Sequence, residues 1–79
     1  MNEDQQIRFA VQSVNLAIAE MKKQKKTKLF YSQVFDADIL PRPGILRKHL
    51  LEVVILLQEI YRGYLTVSRT PGGLVVHVI

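Results

Sequence analysis

The residues that could do chemistry in this chain are few, and most of them are cations. Five lysines fall within Lys22-Lys23-Gln24-Lys25-Lys26-Thr27-Lys28, and Arg42, Arg47, Lys48 and Arg69 follow further on. Side chains of this kind bind phosphates, and arginine also pairs bidentately with guanine. A lysine run by itself also describes a solvated helix end and loop. His49 and His77 are the two histidines, and neither has a partner at metal-ligand spacing. Asp36 and Asp38 flank Ala37, which on a helix points the carboxylates apart. They read as solubilising groups and not as a general acid/base pair. There is no cysteine, which excludes disulfide scaffolds, thiolate zinc sites and cysteine nucleophiles. No nucleophile–base constellation or phosphate-cradling glycine loop is present. The expectation is a protein that is not an enzyme, with no metal and no cofactor.

Composition sets the frame for those cations. Seventy-nine residues, 48% hydrophobic with a net charge of +4, suit one folded domain over 1–79 and exclude a disordered tail. The first six residues are acidic and polar, which is wrong for a signal peptide. The longest apolar run, 53–57, is far too short to span a bilayer. An intracellular, cytoplasmic protein is expected. A pI near 9.7 favours polyanionic partners.

Periodicity supplies the elements that must carry the charges. Ile7, Ala10, Val11, Val14, Ala17, Ile18 and Met21 recur at three- and four-residue steps, predicting a first helix over about 3–24. Leu29-Phe30-Tyr31 suits a brief strand. Ser32 could cap a second helix over about 33–39, with Val34, Phe35, Ile39 and Leu40 buried. Pro41-Arg42-Pro43-Gly44 is a turn, with Pro43 placed to open a third helix over about 44–62. That helix has a broad apolar arc of Leu46, Leu50, Val53, Val54, Leu57, Ile60 and Tyr61, with His49 at its border, and Gly63 ends it. Two alternating runs around Thr70-Pro71-Gly72-Gly73 predict a β-hairpin over 64–79.

The order of helix, short strand, helix, turn, helix and two-stranded wing resembles the winged helix-turn-helix superfamily. The matching stretches are Ser32-Gln33-Val34, then Pro43-Gly44-Ile45-Leu46-Arg47-Lys48-His49-Leu50, then Tyr61-Arg62-Gly63-Tyr64-Leu65 and the wing from Val67 to Val75. The likeness is one of element order and covers nearly the whole chain. Two features depart from it: a long third helix, and Glu52 and Glu59 on that helix's polar face. What the resemblance implies is an α+β fold, a small winged helix of three helices and a short antiparallel sheet with a C-terminal hairpin. It implies binding of double-stranded DNA as a homodimeric transcriptional regulator, with the third helix in the major groove. Arg47 and Lys48 would then reach base edges. Ser32 and Arg42 would contact phosphates, and Arg69 would probe the minor groove or flanking backbone. Lys22, Lys23, Lys25, Lys26 and Lys28 would add salt-sensitive affinity. The alternative implied by the same fold is a protein–protein module within a larger complex.

Two apolar pairs fall outside the expected core. Phe9 and Leu16, one heptad apart, share a face of the first helix with Gln12 and Lys23, which predicts a dimer interface there. Leu51 and Ile55, one turn apart on the polar face of the third helix, form the rival patch, open to a protein partner.

Overall fold

The computed structural model describes residues 2–79. Its first helix, α1 (Glu3–Lys23), is started by a capping box. The Asn2 side chain accepts a hydrogen bond from the Gln5 amide at 2.8 Å, and the Gln5 side chain accepts one from the Asn2 amide at 3.0 Å. Strand β1 (Lys28–Tyr31) follows, then β2 (Val34–Phe35), β3 (Ile45–Leu46), a 3₁₀ turn over Arg47–His49, α2 (Leu50–Ile60), β4 (Leu65–Thr70) and β5 (Gly73–Val78). The three longer strands form an antiparallel sheet in the order β1-β5-β4, while β2 and β3 pair in parallel on their own.

Both helices cover one face of this sheet. Ile7, Ala10, Val14, Ile18 and Met21 from α1 and Leu50, Val53, Val54 and Leu57 from α2 are buried against Leu65, Val67, Leu74 and Val76. Strand alternation sends the intervening residues Lys28, Phe30, Thr66, Ser68, Val75 and His77 to the other face. The helices run in the same direction. Glu3 Oε1 lies 3.1 Å from Nε2 of His49 just before α2, and Lys22 Nζ lies 5.6 Å from the ring centre of Tyr61 just after it.

The class is α+β, but the three-helix winged helix expected from the sequence is not the fold. Two α-helices are present among the described residues, and the expected second helix is absent. Val34 pairs with Ile45 and Phe35 with Leu46, and the Ile45 amide donates to the Gln33 carbonyl at 2.9 Å. A seven-residue helix is too short to hold itself together. A β-branched residue and an aromatic at its start gain more from the strand pairing. Ile39, expected inside, is exposed instead, because no helix turns it inward. Gly44 permits the strand pairing. Its φ is +155°, and a Cβ there would sit 2.6 Å from the Gln33 carbonyl oxygen and 2.6 Å from the Phe35 ring. The expected third helix is correspondingly shorter. Ile45 and Leu46 belong to β3, Arg47 and Lys48 to the 3₁₀ turn, and α2 stops at Ile60, before Gly63.

The hairpin occupies the expected stretch, with Thr70 opposite Gly73 around Pro71-Gly72. Positive φ falls on Gly73, where a Cβ would collide with the Tyr31 carbonyl oxygen.

These contacts set the response to mutation and to pH. Gly44→Ala is expected to destabilise the domain by about 2–3 kcal/mol in urea titration, because the added methyl meets backbone. Burial raises the pKa of Tyr61, and burial likewise raises that of Tyr31, partly offset by a hydrogen bond with Ser13. A raised folded-state pKa gives stability that is complete below the unfolded value of 10.0 and is lost as pH climbs through the folded one. Urea midpoints should therefore fall above pH 10, and Tyr61→Phe should flatten that fall. At neutral pH the same variant should lose about 0.5–1.5 kcal/mol with the 2.7 Å bond from Tyr61 Oη to Asn15.

Candidate nucleic-acid interface

The lysine run begins on α1 and turns sharply after it. The Lys25 amide donates to the Lys22 carbonyl at 2.9 Å and the Lys26 amide to the Met21 carbonyl at 3.0 Å. These are the two bonds of a Schellman helix stop. Its left-handed residue is Lys25, with φ of 58°, a position where glycine is the relaxed choice and a lysine costs roughly 1 kcal/mol. Lys22 and Lys23 complement the helix dipole, which is the ordinary use of cations at a helix C-terminus. Lys25, Lys26 and Lys28 lie beyond the helix and are exposed. Among the described residues no lysine of the run is ion-paired. Glu20, the nearest acid in sequence, accepts instead from Gln24 Nε2 at 3.0 Å.

The arginines expected to read DNA are placed differently. Arg47 Nε donates to Asp36 Oδ1 at 2.7 Å, so Asp36 is an ion-pair partner as well as a solubilising group. The guanidinium of Arg42 lies 5.5 Å from the centre of the Phe35 ring. Lys48 is exposed on the rim of a shallow depression that also holds Phe35, Asp36, Ala37 and Asp38. Ser32 caps no helix. Its carbonyl accepts from the Val34 amide at 2.8 Å, so the helix N-terminus that would have bound a phosphate there does not exist.

Two clusters result, at opposite ends of the molecule. Lys28 stands opposite His77, near the open end of β5, whereas Arg69 stands opposite Leu74, beside the hairpin tip. The length of α1, about 30 Å for 21 residues, separates the His49 end from the lysine end. Arg42, Arg47 and Lys48 are interleaved with acids, while the lysine run carries its charge unpaired.

His49, expected at the edge of the apolar arc, is only 3% exposed. Its Nε2 faces Glu3, and its Nδ1 is buried with no protein partner. The sequence held no signal for this pairing across 46 positions. Phe9 is half-buried, and together with Gln12, Leu16, Tyr31, Gln33 and Pro43 it lines a groove between α1 and the segment that follows β1. Leu16 is 74% exposed at its rim, and Leu51 and Ile55 are exposed on α2. Among the described residues no group of histidines and acids could hold a metal ion, and no helix is long and apolar enough to cross a membrane. No protein-family model, curated protein or solved structure matches the chain.

If the chain binds duplex DNA, Arg47→Ala is expected to change affinity only slightly, because its Nε is already held by Asp36. Asp36→Asn, which removes an acid and frees the guanidinium, should tighten binding at low salt. Fluorescence anisotropy with a labelled duplex checks both variants, and a large loss for Arg47→Ala would return that residue to the role of reader.

Proposed function

We propose that this protein binds nucleic acid through the phosphate backbone, with the 22–28 lysine run as its principal contact. The observation that supports this most is the Schellman turn, which presents Lys25, Lys26 and Lys28 beyond the helix while holding Lys25 in a strained conformation. Strain of this kind is held by surrounding contacts, here the two helix-stop bonds, and clusters at functional sites. Duplex DNA is the simplest ligand, since backbone contacts carry no sequence information. On this reading the protein is a DNA-binding regulator whose grip is electrostatic, and Arg47 is not its main reader. A second copy seated on the groove of Phe9, Gln12 and Leu16 would bring two lysine ends to one duplex.

A protein-docking role is the second reading, favoured by one observation. Gln58 Nε2 donates to the Val67 carbonyl at 2.8 Å along the outer edge of β4, so that edge is only partly covered. Leu51 and Ile55 share the Gln58 side of α2. An apolar strip beside an open strand edge suits an added segment of chain.

The first reading makes a firm demand on salt dependence. Five lysines on phosphates give a slope of about −4.5 in log affinity against log salt for duplex DNA. Lys25→Gly should stabilise the fold by about 1 kcal/mol while lowering duplex affinity. Affinity that ignores salt, or a Lys25→Gly protein that binds like the parent, would overturn the assignment. Sedimentation separates the interfaces. Phe9→Glu with Leu16→Glu should abolish a dimer, and if Leu51→Glu with Ile55→Glu abolishes it instead, the contact belongs to α2.

A further inference from the structure

The outer face of the three-stranded sheet is not covered by either helix, and its composition is unusual for a solvated face. Thr66 and Ser68 on β4 are what such a face ordinarily carries. Phe30 is not: the residue is 54% exposed in the middle of an edge strand. Cross-strand register sets it in one row with Val75 and Ser68, and sets Lys28 in the next row with His77 and Thr66. Tyr64 is on the same side by strand alternation and is also exposed, roughly 17 Å from Phe30 by strand geometry. No acidic residue belongs to these rows.

One further observation places Phe30 beside the lysines, and a second fixes where its ring lies. Phe30 lines a shallow groove between α1 and β1 together with Lys26 and Lys28, and with Glu20, whose carboxylate is taken up by Gln24 Nε2. A Cβ at Gly72 would lie 3.3 Å from Phe30 Cζ, so the ring rests against the hairpin tip at a point that glycine leaves clear. An aromatic held at one edge, open elsewhere and flanked by unpaired lysines matches the chemistry of a nucleotide, a π-face joined to an anion. A second copy fits less well, since it would present the same basic, acid-free rows.

We infer that this face takes the unpaired bases of a single-stranded nucleic acid, with Phe30 as the stacking surface and Lys26 and Lys28 on the adjoining phosphates. The inference rests on the nucleic-acid reading above and narrows it, because a base inside a duplex cannot reach Phe30. A thymidine oligonucleotide should therefore bind more tightly than a duplex of equal charge.

The chain contains no tryptophan, so Phe30→Trp places a single reporter at the proposed stack. Its fluorescence should be quenched by a thymidine 12-mer and unchanged by a blunt-ended duplex with no unpaired bases. Phe30→Leu should weaken the 12-mer about 5- to 100-fold and leave duplex affinity as it was. Lys26→Ala with Lys28→Ala should weaken both ligands. If both ligands bind but the fluorescence of the Phe30→Trp variant does not respond, or Phe30→Leu binds the 12-mer like the parent, the stacking inference fails and the backbone reading stands. If neither ligand binds at low salt, the backbone reading itself fails. A dimer that dissociates in Phe30→Leu with oligonucleotide affinity unchanged would give the face to a second copy and overturn the inference.

Discussion

Everything in this small domain is organised by the pairing of β5 on both of its edges. It lies between β1, which follows the first helix, and β4, its hairpin partner. Without β5 the chain has a two-helix cluster with nothing to pack on, since Leu74 and Val76 are the fully buried centre of the sheet. The same strand also anchors the basic segment. The Val78 amide donates to the Thr27 carbonyl at 2.8 Å, so the lysine run is tied to the sheet immediately after it leaves α1. The proposed contact surface is thus held at both ends, by the helix stop and by β5, so its backbone needs little ordering before it meets a ligand.

The elements with a local signature are legible in the sequence. The stripe from Ile7 to Met21 has one helical period, and the runs on either side of Pro71-Gly72 alternate with period two. The 33–39 segment is not legible, because Val34, Phe35, Ile39 and Leu40 are spaced as well for a helix as for a short strand and loop. What decides between them is a partner ten or more residues away, Ile45 and Leu46, together with a backbone approach that only Gly44 allows. That one difference carries others with it. Without the second helix Ser32 has nothing to cap, the third helix loses its first turns to β3, and Asp36 comes within 2.7 Å of Arg47.

The candidate site is legible in part, for a related reason. Composition locates the lysines, but it cannot say that Arg47 is neutralised or that the run lies at the far end of α1 from Lys48. Both facts belong to tertiary pairing. The outward direction of Phe30 is also hidden, because in Leu29-Phe30-Tyr31 all three residues are apolar and no alternation shows which side is buried. The register settles it: Leu29 stands opposite Val76 and Phe30 opposite Val75.

Charge placement therefore separates the two ends of the molecule more sharply than charge count does. At the Arg47 end the arginines have local uses, on a carboxylate or over a ring, which partly offset their charge. At the lysine end Lys22 alone is so engaged, over Tyr61. Unpaired surface lysines repel one another and so oppose the compact state, an effect that an arriving polyanion reverses. Coupling runs in both directions here. On the proposed reading, a ligand that neutralises Lys25, Lys26 and Lys28 would stabilise the helix stop they occupy, which leads directly into β1 and Phe30. The two proposed contacts, to backbone and to base, would then both depend on the turn between α1 and β1.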